Sequence, residues 1–137
     1  MKTLIAYKTK LGSSKKYATW LAESLRAEVV DFDKAGQINW TEIPRLVVIS
    51  GTYGGRMPLT KFLKENWGQL QKTEIIALAV GAAPADNWWS RLSYKLIPEK
   101  IRSRIKYRKL PGEIEKSIKI PEARKYLSQI IKELNLA

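Results

Sequence analysis

Residues 3–14 read TLIAYKTKLGSS and decide the fold. The short apolar run at 3–7 predicts a buried strand. The glycine and serines after it predict a turn into a helix, with Ser13 or Ser14 as the N-cap. Apolar residues at helical spacing then continue as far as Leu25. The stretch is therefore a strand–loop–helix unit, the repeating element of α/β folds.

The same alternation of strand and helix patterns runs through the rest of the chain. Further strands are predicted at 28–32, 45–50, 74–80 and 105–110. Further helices are predicted at 58–67, in parts of 86–103 with a break near Pro98, and at 122–134. Residues 33–44 are assigned to a loop with at most one helical turn. The run RLVVIS at 45–50 is typical of a strand buried on both faces of a parallel sheet. We predict one α/β domain over 1–137, a three-layer doubly wound parallel sheet.

The composition excludes several kinds of chemistry. The 137 residues are 45% hydrophobic and 28% charged, as in ordinary globular proteins. We expect a cytoplasmic protein, because no apolar stretch approaches a membrane span or a signal-peptide core. The chain has no Cys and no His, which excludes thiol and imidazole catalysis and the usual metal sites. Any redox chemistry must therefore come from a bound organic cofactor.

The charge is strongly positive and uneven. There are 25 basic and 13 acidic residues, for a net charge of +12, and residues 88–137 alone contain 13 basic and 5 acidic residues. Such a field favours anionic partners. The segment 88–109 combines four aromatic residues with eight basic ones: Arg91, Lys95, Lys100, Arg102, Arg104, Lys106, Arg108 and Lys109. This pattern is consistent with a solvated surface, a docking surface for an acidic redox partner or a peripheral membrane contact, and nucleic acid is the least favoured partner.

The first loop, residues 8–14, has the chemistry of a phosphate site. Thr9, Ser13 and Ser14 offer hydroxyl groups, Gly12 allows a tight turn, and the helix that follows points its positive end into the loop. Lys8 or Lys10 would add positive charge. The alternative is an ordinary strand–helix connection with a cap. The glycine patterns of dinucleotide-binding and P-loop proteins are absent from the sequence.

Two motifs resemble those of one family. TKLGSS at 9–14 resembles the phosphate loop of the flavodoxin superfamily, and SGTYGG at 50–55 resembles the loop that approaches the flavin ring there. The short length and the tail SRIKYRKLPGE are most similar to the compact "flavodoxin domain" group, which includes flavodoxin-like protoporphyrinogen oxidases. The resemblance implies the strand order 2-1-3-4-5 and FMN as the cofactor.

The resemblance also implies a set of cofactor contacts, which gather because loops after the first, third and fourth strands are neighbours in that sheet. The FMN phosphate would be held by Thr9, Lys10, Gly12, Ser13 and Ser14. One side of the flavin ring would be lined by Thr52, Tyr53 and Gly54, and the other by Gly81, Ala82 and Ala83 with Asp86 or Trp88. Tyr53 is alternatively a turn residue packed on the sheet, and Trp88 a core or partner-facing residue.

Electron transfer by bound FMN is the function that this reading favours. Two alternatives stay open: a flavin-dependent oxidase or dehydrogenase of the protoporphyrinogen oxidase type, and a flavin-free binding module on the same fold. No side chain is assigned as a catalytic residue. A response-regulator receiver is rejected, because Ser50 and Gly51 stand where its acceptor aspartate would be needed.

Overall fold

A computed structural model describes residues 2–9, 12–53, 56–81, 87–112 and 120–136, with side chains in the last range from residue 124 onward. Within these ranges five strands form one sheet. They are β1 (Thr3–Lys8), β2 (Glu28–Asp31), β3 (Arg45–Gly51), β4 (Glu74–Gly81) and β5 (Ile105–Pro111). Each pairs parallel with its neighbours in the order β2-β1-β3-β4-β5. The predicted fold class and strand order are confirmed.

The helices follow the strands as the sequence pattern requires. They are α1 (Ser13–Leu25), α2 (Pro58–Asn66), α3 (Trp88–Lys95), α4 (Glu99–Arg102) and α5 (Ile120–Glu133). The predicted loop at 33–44 is wrong in detail, since 3₁₀ helices cover Phe32–Gln37 and Trp40–Glu42. Asp31 and Asn39 begin these helices by accepting the backbone N–H of the residue two positions on. Among the helices that the structure describes, none has the length and apolar character needed to cross a bilayer.

The sheet is covered by helices on both faces, which explains the apolar run at 45–50. Alternate residues of β3 enter different cores: Leu46 and Val48 pack with α2 and α4, whereas Val47 and Ile49 pack with α1 and α5. All four side chains are completely buried. This three-layer arrangement leaves the carboxyl edge of the sheet, with its loops, as the place for a ligand.

Candidate cofactor site

The loops named by the sequence leave one edge of the sheet side by side. The register pairs Lys8 with Ser50 and Gly51 with Val80, so β1, β3 and β4 end at neighbouring positions. Gly81 is in turn paired with Pro111 at the end of β5. The strand ends from which the loops after β1, β3 and β4 leave are therefore neighbours at the carboxyl edge, and the end of β5 lies beside them.

Gly12 forms the turn from β1 into α1. Its φ of +98° lies in the left-handed region, which glycine adopts at little cost, and it is the N-cap residue of the helix. The Gly12 N–H donates to Thr9 Oγ1 at 2.8 Å, and the Gly12 carbonyl accepts the Lys16 N–H at 3.0 Å. The predicted cap at Ser13 or Ser14 is wrong, because the left-handed glycine lets the helix begin at Ser13. The two serines thereby become its first helical residues.

The first turn of α1 has polar groups that are not hydrogen-bonded to other described residues. Ser13 and Ser14 are buried, with 8% and 2% of their surface exposed. Neither hydroxyl is hydrogen-bonded to another residue in the part of the chain that the structure describes. Gly12 has no side chain to cap the first N–H groups of the helix. This turn can therefore offer hydroxyl and N–H donors to an anion. The remaining residue predicted for this loop, Lys10, lies outside the described residues.

Lys8 forms an ion pair with Asp33. Its Nζ lies 2.6 Å from Asp33 Oδ2, and this hydrogen bond raises the pKa of Lys8, with smaller contributions from the charges of Asp33, Asp31 and Tyr53. The same hydrogen bond lowers the pKa of the Asp33 carboxyl. The predicted addition of charge by Lys8 is therefore offset by a carboxylate.

The loop after β3 folds back on its own strand. Tyr53 and Arg56 form a two-bond bridge, with N···O distances of 2.7 and 3.0 Å. A Cβ atom at Gly51 would overlap the Tyr53 hydroxyl, so the ring lies over the end of β3. Tyr53 is half-buried and Thr52 is beside it. Both are at the expected edge, whereas Gly54 lies outside the described residues.

A buried serine, not predicted as such, fixes the far end of this loop. Ser50 Oγ accepts the Leu59 N–H at 3.1 Å and is completely buried. Met57, the N-cap residue of α2, makes no side-chain cap, so Ser50 satisfies a donor of the first turn. A serine at the end of an apolar strand could have indicated a buried hydrogen bond. Its partner, Leu59, is nine residues away and is not evident from the sequence.

The loop after β4 is described only at its two ends. Gly81 ends the strand, and α3 begins at Trp88, where Asn87 Oδ1 accepts the Trp89 N–H at 2.9 Å. Trp88 is 57% exposed and meets Trp89 edge-on, with ring centroids 4.6 Å apart. Its contact with a flavin ring stays a prediction. The other three predicted residues, Ala82, Ala83 and Asp86, lie outside the described residues.

The sequence grouped Lys109 only with the other basic residues of 88–109, whereas the structure brings it into contact with the loop after β3. Its Nζ lies 3.4 Å from Thr52 Oγ1, and a Cβ atom at Gly81 would be 2.9 Å from it. Lys109 is half-buried, and burial lowers its pKa. The alternation of side chains along a strand could have indicated this position, because it puts Lys109 on the same face of β5 as Tyr107 and Ile105.

The other basic residues of 88–109 do not form one face. Arg104 donates to the carbonyls of Leu70 and Gln71 at 3.2 and 2.8 Å, and Lys106 pairs with Glu74 at 3.2 Å. These contacts lie where β4 and β5 begin, at the amino ends of the strands, whereas Thr52 lies at the carboxyl ends. Among the described contacts, that of Lys109 with Thr52 is the one that brings a basic residue of this segment to the loop after β3.

A groove beside α3 reaches Lys109, whose ammonium contacts Thr52. It has a volume of about 630 Å³ and runs between α3 and the edge strand β5. Its aromatic walls are Tyr94 and Tyr107, whose ring centroids are 4.9 Å apart. Five basic residues also line it: Arg91, Lys95, Lys106, Arg108 and Lys109. Basic and aromatic side chains therefore line the groove as far as Lys109.

The fold and the edge loops together define a doubly wound α/β domain with donor groups at its first strand–helix turn. A family model described as "Flavodoxin domain" matches residues 4–117. The chain belongs to this family, as the two sequence motifs indicated. No match was found among curated protein sequences.

Solved structures of flavodoxins and flavoproteins share the fold at low sequence identity. A flavodoxin from the domain Archaea is 17% identical with a TM-score of 0.60, over 91% of this chain and 90% of that one. Flavodoxin 2 from Bacillus cereus is 14% identical with a TM-score of 0.60, over 97% and 99%. A flavoprotein from Lactobacillus acidophilus, in complex with FMN, is 14% identical with a TM-score of 0.57, over 80% and 91%.

Proposed function

We propose that this protein binds FMN non-covalently at the carboxyl edge of the sheet and transfers electrons through it. The observation that carries the proposal is the turn at Gly12, where no side chain caps α1 and the hydroxyls of the buried residues Ser13 and Ser14 make no hydrogen bond within the described residues. Membership of the flavodoxin domain family and the FMN complex of the Lactobacillus relative support the same cofactor.

The residues present fit the chemistry of FMN. A phosphate dianion accepts hydrogen bonds from hydroxyl and backbone N–H donors at a helix start and is favoured by the helix dipole. We assign this role to Thr9, Ser13 and Ser14, with Gly12, whose own N–H donates to Thr9, shaping the turn. We assign contact with the flavin ring to Tyr53, whose own ring lies over the end of β3, and to Thr52 beside it. When bound, FMN supplies one- and two-electron chemistry, which the side chains of this Cys- and His-free chain do not provide.

The serine hydroxyls provide the test of the phosphate assignment. Charge-assisted hydrogen bonds contribute roughly 1.5–3 kcal/mol each. The double variant Ser13→Ala, Ser14→Ala should therefore bind FMN about a hundredfold more weakly or worse, measured by titration of flavin fluorescence. Ser24→Ala is the matched control, because Ser24 is on the same helix and its hydroxyl donates to the Trp20 carbonyl. Equal affinity of the double variant and the control would refute the assignment.

A flavin-dependent oxidase or dehydrogenase is the second candidate. The groove beside the site favours it, because Arg91, Lys95 and Lys109 suit the carboxylates, and Tyr94 and Tyr107 the ring, of an anionic aromatic substrate. Substrates of the protoporphyrinogen type belong to this class. Turnover of such a compound by the FMN-loaded protein, lost in Tyr94→Ala but retained in the exposed-surface variant Tyr126→Ala, would support this candidate.

An acidic redox protein is the partner that the remaining charge favours for simple electron transfer. Trp88 and Trp89 are exposed at the start of α3, beside Arg91 and Lys95 on the same helix. Aromatic and basic residues together are typical of interface centres. Association with such a partner should be fast and should weaken as salt is added.

A further inference from the structure

Lys109 differs from the other cations of β5 in what it contacts. Lys106 pairs with Glu74 at 3.2 Å, and Arg108 with Glu133 at 3.4 Å. The Lys109 ammonium instead contacts the Thr52 hydroxyl, and no carboxylate among the described residues lies within ion-pair distance of it. Its positive charge is therefore not neutralised by a neighbouring side chain in the described part of the chain.

The fold gives this ammonium a specific place at the end of β4. A Cβ atom at Gly81 would lie 2.9 Å from Lys109 Nζ and 3.6 Å from Thr52 Oγ1. Glycine at position 81 thus leaves room for the ammonium between the ends of β3 and β5. Burial lowers the pKa of Lys109, which reflects the cost of holding a cation there without a counter-ion. An anionic group bound at this edge would offset that cost.

We propose that Lys109 belongs to the cofactor site and stabilises the negative charge that the flavin ring acquires on reduction. The inference rests on the proposed binding of FMN, and it assigns a charge preference to that site. Full reduction by an external reductant such as dithionite adds two electrons and one proton to the neutral ring, which leaves one negative charge. The ammonium interacts more favourably with that anion than with the oxidised ring.

The test is the ratio of the affinities for reduced and oxidised FMN. We expect Lys109→Met to lower this ratio about tenfold, because a half-buried charge is only partly screened. For a two-electron couple a tenfold change corresponds to a midpoint potential about 30 mV lower. Spectroscopic titration against a reference dye measures the potential, and fluorescence titration measures the affinity for oxidised FMN.

Matched variants separate the local effect of Lys109 from net charge and from folding. Lys106→Met removes the same charge from the same strand, but at the opposite edge, and should leave the potential unchanged. Lys109→Arg keeps the charge and should restore most of the wild-type potential. Lys109→Gln, which retains a hydrogen-bonding group for Thr52, should behave like Lys109→Met and serves if the methionine variant does not fold.

The outcomes distinguish the two proposals. A lowered potential in the uncharged Lys109 variants, with wild-type values in Lys106→Met and near-wild-type values in Lys109→Arg, supports the role of Lys109. Equal potentials in wild type and the uncharged Lys109 variants, when all of them bind FMN, overturn this inference alone. A wild-type protein that binds no FMN overturns the proposed function, and this inference with it.

Discussion

The hydroxyl of Tyr17 in α1 donates a hydrogen bond to the carbonyl of Pro111, the last residue of β5. Tyr17 is completely buried, and burial raises its pKa. The contact links the helix that follows the first loop to the strand that carries Lys109. The two residues are 94 positions apart in sequence, yet their elements border the same candidate site.

Tyr17→Phe should destabilise the protein without altering the donor groups at Gly12. The substitution keeps the ring and leaves the Pro111 carbonyl without this donor, which costs about 1–3 kcal/mol. Urea unfolding measures the loss. Tyr126→Phe, at an exposed position of α5, is the control and should change stability little. Equal stability of the two variants would contradict the role assigned to the Tyr17 hydroxyl.

Gly12→Ala should weaken both the fold and the binding of FMN. Nothing lies within 4 Å of a Cβ atom there, so the effect comes from the backbone, whose φ of +98° disfavours any side chain. A cost of about 1 kcal/mol or more is expected, with a turn that no longer aligns the donors of α1. Gly36→Ala is the matched control, because Gly36 also has open space but not a positive φ. Thermal unfolding and an FMN titration on both variants check this, and equal behaviour would refute it.

The alkaline limb of the stability profile should depend on Tyr107. Burial, with a smaller contribution from Tyr94, raises its pKa from 10.0 to about 12. A raised folded-state pKa means that the stabilisation is fully present below pH 10 and is lost as the pH rises towards 12. Over this window the free energy of unfolding of the wild type should fall by about 2 kcal/mol more than that of Tyr107→Phe. Parallel curves for the two proteins would contradict the assignment.

The strands were predictable because their signals are local. The run at 45–50 had to be buried on both faces, and Pro58 had to lie at the start of a helix, as it does in α2. Lys109 was not predictable in the same way. Its position depends on the register of β5 with β4, which brings Lys109 next to Gly81, where no side chain fills the space. A single sequence does not reveal that register.

The N-cap of α1 was also not predicted correctly, although it depends only on local sequence. The sequence TKLGSS predicted a turn into a helix correctly, but serine propensity pointed to Ser13 or Ser14 as the cap. With Gly12 in the left-handed conformation as the N-cap, the helix starts one or two residues earlier than predicted, and both hydroxyls belong to its first turn. The residues of the candidate phosphate site were predicted, while the geometry that arranges them was not.

Comparison of FMN with riboflavin tests the central claim most directly. The two share the flavin ring and the ribityl chain and differ in the phosphate, which is the group assigned to the turn at Gly12. Titration of the protein with each, followed by flavin fluorescence, should give an affinity for FMN at least a hundredfold higher, since two or more charge-assisted hydrogen bonds are lost with the phosphate. Equal affinities, or no binding of FMN, would contradict the account.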